Sequence, residues 1–161
     1  MHTNTRFTSS NDRAPRQWVR VVAAGTFDWV HPGHVHFLSA AKALGDHLTV
    51  IVARDATVRR IKGTFPITPE EGRKAVISAV RGVDAAVLGN EGDIFQKIVE
   101  LNPDILAMGY DQQPEDEALR KALAERGLSC QVVRISSWHP ESNKTSVLKR
   151  RLGIETNRLT T

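Results

Sequence analysis

Two histidines, His31 and His34, stand three residues apart, shortly after a glycine turn that begins at Gly25. Side chains at this spacing share one face of a helix, so both imidazoles should face the same volume. Gly25 has no Cβ and lets an anion approach the main chain closely. A helix start adds unpaired amides and a partial positive charge. Imidazoles and backbone amides that face the same volume predict a phosphate-binding site.

The neighbouring segments are the ones that such a site requires. An apolar run over 18–24 predicts a strand, Pro32 suits the first position of a helix, and Gly45 suits its end. Further apolar runs then alternate with amphipathic segments as far as about residue 152. This alternation predicts an α/β, Rossmann-like domain with a five-stranded, mainly parallel sheet and helices on both faces. Ligands bind such sheets at the carboxyl ends of the strands, where the glycine turn falls.

Length and composition favour one ordinary globular domain, with 161 residues, 40% hydrophobic and 25% charged. We expect the domain to span 18–153, between a polar N-terminal tail at 1–17 and a C-terminal tail at 154–161. The single cysteine, Cys130, cannot form an intramolecular disulfide, and a reducing cytoplasm is the simplest location. We expect no membrane span, because no apolar run is long enough.

The net charge of +4 suits either a pocket for phosphorylated substrates or a nucleic-acid surface. A nucleic-acid-binding module would need aromatic and basic residues interleaved on one face. The three tryptophans are scattered, at Trp18, Trp29 and Trp138, so we expect no nucleic-acid partner. The absence of G-x-G-x-x-G and of a Walker sequence also disfavours a dinucleotide-dependent dehydrogenase and a Walker-type NTPase.

The segment from Gly25 to His34, Gly-Thr-Phe-Asp-Trp-Val-His-Pro-Gly-His, resembles the HxGH signature of the nucleotidyltransferase superfamily. Downstream blocks resemble the archaeal FAD synthases in particular, and the likeness runs from about residue 19 to 152. The blocks are Ile61-Lys62-Gly63, Pro69-Glu70-Glu71 and Gly109-Tyr110-Asp111-Gln112. The resemblance implies transfer of the AMP moiety of ATP to FMN, giving FAD and pyrophosphate. It also implies a homodimer.

Phosphoryl chemistry needs positioning and positive charge more than covalent help, so we expect electrostatic roles. His31 and His34 would donate hydrogen bonds to the triphosphate. By resemblance Lys62 would meet the α-phosphate, although a solvated lysine at a helix end explains it too. Mg²⁺ would be held largely by the triphosphate, with no dedicated metal ligands in the chain. The predicted nucleotide-binding residues are Gly25, Thr26, Phe27, His31, Pro32, Gly33, His34, Asp111, Trp138, Lys144, Thr145 and Ser146.

Several of these assignments have an alternative. By resemblance Asp111 would bind the ribose hydroxyls, but it could equally be a turn aspartate. Trp138 would stack on a base or flavin, or plug its loop into the core. Arg73 is a further candidate, and an i, i+3 ion pair with Glu70 explains it nearly as well.

The last predicted helix keeps only part of a Ser/Thr-rich start that grips the triphosphate in similar enzymes. The hydroxyl roles of Thr145 and Ser146 are therefore open, and Lys144 could supply compensating charge. The choice of FMN rests on resemblance alone. A cytidylyltransferase acting on a small phosphate such as glycerol 3-phosphate would share every residue named here.

Overall fold

The computed structural model describes residues 17–139, 141 and 145–153. The predicted tails, apart from residue 17, and Lys144 lie outside the described residues. None of the helices within the described ranges is long and apolar enough to cross a membrane.

The described chain alternates strands and helices. The strands are β1 (Arg20–Gly25), β2 (His47–Val52), β3 (Ala85–Leu88), β4 (Ile105–Gly109) and β5 (Gln131–Ile135). The helices are α1 (Pro32–Lys42), α2 (Asp55–Lys62), α3 (Glu70–Ser78), α4 (Gln96–Leu101), α5 (Asp116–Ala124) and α6 (Thr145–Arg151). The strands pair in parallel in the order β3-β2-β1-β4-β5. The predicted fold class is confirmed.

Alternate residues of the central strand enter two apolar layers, one on each face of the sheet. Val21 packs in a cluster with Leu38 of α1 and Ile77 of α3. Its neighbour Val22 packs in a second cluster with residues of α4 and α5, among them Leu119. These side chains are buried. Burial on both faces explains why the central strands read as continuous apolar runs.

The strand order places a crevice beside β1. From β1 the chain moves outward to β2 and β3, then returns to β4 on the other side of β1. Gln112 joins the carboxyl ends of the two strands at this reversal: its Oε1 accepts from Gly109 N at 2.7 Å and its Nε2 donates to Ala24 O at 2.8 Å. Such a reversal is where open α/β sheets bind ligands.

The amino ends of the strands are held by aspartates. Asp46 and Asp104 accept hydrogen bonds from the amides of Val19 and Arg20 at the start of β1, at 2.9 and 2.8 Å. Asp84 accepts from an amide near the start of β2 at 2.7 Å. Carboxylates therefore accept from the first strand amides at this edge of the sheet. The crevice lies at the opposite edge, where the strands end.

Helix α1 starts at Pro32, as predicted, but it ends at Lys42 rather than at Gly45. Gly45 is instead required by a close approach. A Cβ at this position would lie 2.6 Å from Val21 Cγ2 and 2.8 Å from Val19 O. The strand predicted over 18–24 agrees with β1 to within two residues, the usual uncertainty of element ends.

The guanidinium of Arg73 joins four segments in the interior. The residue is 1% exposed. Its Nε donates to Thr68 O at 2.9 Å, and its Nη1 donates to Thr26 O in the glycine turn. Its Nη2 donates to Ala53 O, just after β2, at 2.7 Å and to Asp55 Oδ1 at the start of α2 at 2.6 Å. Arg73 therefore fixes the glycine turn to the start of α2.

The alternative explanation of Arg73, an i, i+3 ion pair with Glu70, is wrong, because Arg73 pairs with Asp55 instead. The Glu70 carboxylate accepts from Arg54 Nη1 and from the amide of Asp55, both at 2.7 Å. Glu70 is the first residue of α3 and meets the start of α2, whereas Arg73, one turn later, enters the space beneath the glycine turn. Non-local acceptors outcompete the i, i+3 contact because they satisfy a buried guanidinium.

Replacing Arg73 with methionine should lower the free energy of unfolding by about 3 kcal/mol, because three carbonyls and a carboxylate lose a charged donor. Urea denaturation measures this. Arg73→Lys should recover only part of the loss, since an ammonium cannot replace the fork of donors. Lys74→Met is the matched control on α3: Lys74 makes an exposed 3.2 Å pair with Glu71 and should change stability by less than about 0.5 kcal/mol. An equal effect of both variants would contradict this account of Arg73.

Candidate active site

The turn after β1 is tightly folded and strained. Phe27 and Trp29 have φ of 52° and 59°, a left-handed conformation that such side chains rarely adopt. The buried Phe27 ring lies against Gly25, where a Cβ would come within 2.8 Å of two ring atoms. Only glycine fits there. Backbone strain of this kind concentrates at functional sites, and here it aims the chain into α1.

The two histidines of the turn stack. His31 is the N-cap residue of α1, and its side chain makes no capping hydrogen bond. The His31 and His34 rings are 3.8 Å apart between centroids at an angle of 26°. The Phe27 ring meets His34 edge-on, with centroids 5.4 Å apart. The i, i+3 spacing thus brings both imidazoles to the same volume.

Burial keeps both imidazoles in the neutral form near pH 7. It lowers the pKa of His31. Burial is also the main cause of the lowered pKa of His34, to about 4, and the charges of His31 and Lys62 lower it further. Within the described part of the chain, Nδ1 of each ring is buried without a hydrogen-bond partner. Unsatisfied buried nitrogens are uncommon in folded proteins, and a functional demand is one reason for keeping them.

Lys62 reaches the same turn from the end of α2. Gly63 ends this helix with a φ of 80°, and its amide donates to Arg59 O at 2.8 Å. Lys62 Nζ then lies 3.1 Å from Thr26 Oγ1. Burial of the ammonium, together with the positive charges of Lys149 and Arg73, lowers the pKa of Lys62. A charge with this many cationic neighbours favours an anionic ligand.

Asp28 belongs to the motif, yet the sequence analysis assigned it no role. It is buried, and its carboxylate accepts from the amides of Ile67 and Thr68 at 3.0 and 3.1 Å. Burial alone would raise the pKa of Asp28, but these hydrogen bonds and Lys149 outweigh burial and hold the pKa below its ordinary value. Asp28 therefore stays ionised and anchors the loop between α2 and α3.

The same aspartate positions α6. Lys149 Nζ lies 2.9 Å from Asp28 Oδ2, and Thr145 Oγ1 donates to Asp28 O at 3.1 Å. Lys149 was also missed by the sequence analysis. The available signal was its spacing of four from Thr145, which puts both side chains on one face of the helix. Its partner could not have been identified, because it lies 121 residues away.

Arg134 of β5 holds the loop that contains Asp111. Its Nη1 donates to Gly109 O at 2.9 Å and to Gln112 O at 2.7 Å, and its Nη2 donates to Pro114 O at 2.8 Å. The exposed Asp111 thereby has a fixed place on the β4 side of the crevice. The sequence pattern does not single out Arg134, because it indicates only a polar position within a strand.

These elements surround a cavity of about 680 Å³ at the carboxyl ends of the strands. Most of the predicted site residues line it: Gly25, Thr26, Phe27, His31, Gly33, His34, Lys62, Asp111, Trp138, Thr145 and Ser146. Asp28 and Lys149 line it as well. Pro32 lies in an adjoining groove of about 500 Å³. Arg73 is buried beneath the cavity and supports the site by its hydrogen bond to Thr26 O in the glycine turn.

Trp138 stands between the cavity and the groove and lines both. It is 43% exposed, so it does not plug its loop into the core, one of the two expectations for it. Its ring is stacked toward His36 of α1 at a centroid distance of 6.5 Å. An exposed ring at a cavity mouth can take part in stacking with a planar ligand.

No group of three or more His, Cys, Asp or Glu side chains in the described ranges is arranged to hold a metal ion. The carboxylate that lies among the phosphate-binding candidates, that of Asp28, already pairs with two amides and Lys149. A divalent cation with few protein ligands is typical of nucleotide chemistry, in which the phosphates supply the oxygens.

The arrangement can bind a polyphosphate and stabilise added negative charge. Two imidazoles, the ammonium groups of Lys62 and Lys149 and the start of α1 converge on one end of the cavity. Cationic and hydrogen-bonding groups that are fixed before the ligand arrives are the usual means of stabilising phosphoryl transition states.

Comparison with known proteins agrees with this chemistry. The Cytidylyltransferase-like family model matches residues 22–159. A protein of Archaeoglobus profundus named FAD synthase is 50% identical over 143 residues, which are 88% of this chain and 91% of the relative. A FAD synthase of Methanosarcina mazei is 52% identical over 72% of this chain and 76% of its own.

A Thermoplasma volcanium crystal structure, named for a lipopolysaccharide core biosynthesis protein, superposes with a TM-score of 0.72. It is 43% identical, over 76% of this chain and 99% of its own. A pantoate-beta-alanine ligase of Francisella tularensis shares the fold alone, with a TM-score of 0.59 and 14% identity, over 91% of this chain and 69% of its own. The chain therefore belongs to the cytidylyltransferase-like family, where it groups with the archaeal proteins named FAD synthase.

Proposed function

We propose that this protein is a FAD synthase, which transfers the AMP moiety of ATP to FMN and releases pyrophosphate. The observation that carries the proposal is the stacked pair of neutral imidazoles beside the glycine turn, in the lining of the switch-point cavity. This geometry supports nucleotidyl transfer. The identity of about 50% to archaeal relatives named FAD synthase supports FMN as the acceptor.

The reaction makes one bond and breaks one. A phosphate oxygen of FMN attacks the α-phosphorus of ATP and forms the new P–O–P bridge of FAD. The bond from the α-phosphorus to the α,β-bridging oxygen breaks, and pyrophosphate leaves with that oxygen and its electron pair. No covalent enzyme intermediate is needed, because both partners are held in line and charge is stabilised where it develops.

His31 and His34 act as hydrogen-bond donors to the triphosphate near the reacting phosphorus. Lys62, 3.1 Å from Thr26 Oγ1, lies at the turn and would meet the α-phosphate and the attacking phosphate. The amides of Thr26 and Phe27 would bind phosphate oxygens from the turn. Lys149, positioned by Asp28, would bring the start of α6, with Thr145 and Ser146, to the triphosphate tail.

On the nucleoside side, Asp111 would bind the ribose hydroxyls and Trp138 would stack on a planar ring. Mg²⁺ would enter with the triphosphate, and when bound it would neutralise phosphate charge. A domain over 18–153, a homodimer, a cytoplasmic location and the absence of membrane and nucleic-acid partners stay predictions.

Incubation of the protein with ATP, FMN and Mg²⁺ should yield FAD and pyrophosphate in equal amounts. Liquid chromatography with mass spectrometry detects the FAD, and a coupled assay measures the pyrophosphate. The rival activity is tested in parallel with CTP and glycerol 3-phosphate. Pyrophosphate release with glycerol phosphate and none with FMN, under any triphosphate, would reject the proposed acceptor.

Replacing His31 or His34 with asparagine should lower kcat for FAD formation by about 10²–10³-fold, since each variant loses one preorganised donor. Thermal unfolding should change little, because each ring carries an unsatisfied buried nitrogen. His47→Gln is the matched control: His47 begins β2 at the opposite edge of the sheet and its variant should keep full activity. A kcat within threefold of wild type for either site variant would remove the imidazoles from the mechanism.

The His34 imidazole should stay neutral on acidification until about pH 4, and addition of a non-hydrolysable ATP analogue should raise its pKa, because nearby negative charge favours the imidazolium. NMR titration of the ring measures both effects. The folded-state pKa of His34 lies below 6.5, the ordinary pKa of histidine. Between pH 6.5 and 4 the unfolded chain therefore binds a proton that the folded chain does not, and the free energy of unfolding falls as pH falls. Titration of His34 near pH 6.5 in the free protein would contradict this assignment.

A further inference from the structure

We propose that the isoalloxazine ring of FMN binds against an apolar wall on the β2–β3 side of the cavity, formed by Ile61, Phe65, Ile94 and Phe95. This inference rests on the proposed function and assigns its acceptor site to particular residues. The name acceptor wall is used below for these four side chains, which line the cavity.

The strand order divides the cavity into two halves on either side of the glycine turn. The connections that follow β2 and β3 contribute the acceptor wall. The connections that follow β4 and β5 contribute Asp111 and Trp138. Since β1 lies between β2 and β4 in the sheet, the imidazoles that follow it stand between the halves. A reaction that joins two phosphates at this centre leaves one organic group to each half.

Three side chains of the acceptor wall are large and apolar but are exposed to solvent. Ile61 is 64% exposed, Phe65 is 55% exposed and Ile94 is 39% exposed, although each lines the cavity. Large apolar side chains grouped around a concavity mark a ligand-binding surface. Covering them with a planar apolar ring would remove this area from water and stabilise the complex.

Both aromatic rings of the wall are held by guanidinium groups. Arg59 Cζ lies 4.8 Å from the centroid of Phe65, and Arg126 Cζ lies 5.0 Å from that of Phe95. Arg126 is in turn fixed by a 2.7 Å ion pair with Asp93. Phe65 stays 55% exposed beside its guanidinium, whereas Phe95 packs partly buried against the second apolar cluster. These contacts restrain both rings, which reduces the entropy lost when a ligand binds.

Chain connectivity places the acceptor, rather than the nucleoside, on this side. Ile61 directly precedes Lys62, whose Nζ lies at Thr26 in the phosphate-binding turn. An acceptor phosphate held near Lys62 would have its organic group next to Ile61 and Phe65. The opposite half offers the carboxylate of Asp111 for ribose hydroxyls and, through α6, Lys149 for the triphosphate. A three-ring flavin with a dimethylbenzene edge matches the apolar half better than a sugar or a short polyol would.

The test compares Phe65→Ser and Ile61→Ser with wild type in steady-state FAD formation, varying FMN and ATP separately. Each variant should raise KM for FMN about tenfold, from lost stacking and apolar area, and leave KM for ATP within twofold. Phe65→Trp should restore FMN affinity and quench flavin fluorescence more strongly than wild type does. Val76→Ser is the matched control, an apolar residue 48% exposed on α3 that does not line the cavity. Its kinetic constants should match those of wild type.

Direct titration with FMN, followed by flavin fluorescence, separates binding from turnover. An unchanged KM and Kd for FMN in both serine variants would overturn the acceptor wall while leaving the FAD synthase proposal intact. A raised KM for ATP with an unchanged KM for FMN would overturn it too, by placing adenosine on this side. If wild type forms no FAD and binds no FMN, both proposals fail together. Unfolding curves of the serine variants should overlay those of wild type, because both side chains are exposed.

Discussion

The site depends first on the buried guanidinium of Arg73. A charge removed from water is tolerated in a protein when hydrogen-bond acceptors surround it with good geometry. The acceptors of Arg73 come from the glycine turn, the residue after β2, the start of α2 and the loop that precedes α3. The hydrogen bonds of this one side chain thus join segments that the hydrophobic core alone would leave free to move.

A second ion pair repeats this arrangement on the open side of the site. Asp28 uses its carboxylate to hold the loop between α2 and α3 and to receive Lys149 of α6. Loops at the carboxyl ends of strands are ordinarily the most variable part of an α/β fold. Here Arg73 holds the loop that precedes α3 from the protein interior, and Asp28 holds the same loop from the cavity side. Both charged groups hold the glycine turn or the loop beside it, so the position of the imidazoles depends on these contacts as well as on packing.

Local patterns were enough to predict the fold class, most elements and the histidine pair, because strand and helix periodicity and the i, i+3 spacing are properties of adjacent residues. Contacts between distant segments were not predictable in this way. For Arg73, proximity in sequence suggests Glu70 as an alternative partner, whereas the fold supplies Asp55 and three carbonyls. Asp28 was visible in the motif, but its role requires a lysine 121 residues away. Gly45 was interpreted as a helix stop because its contact with Val21 belongs to tertiary packing.

The two edges of the sheet resist mild acid in opposite ways, the aspartates at the amino edge by keeping their charge and the buried imidazoles by staying neutral. The amide of Leu48 and the ammonium of Lys42 lower the pKa of Asp84, and Arg20 does the same for Asp104. These clamps stay ionised while the solution becomes mildly acidic, so the strand register persists at that edge. At the other edge, burial lowers the pKa of both imidazoles, so they resist protonation in the same mildly acidic solution. Mild acidification therefore leaves the strand register clamped at one edge while the imidazoles of the cavity resist taking up a proton at the other.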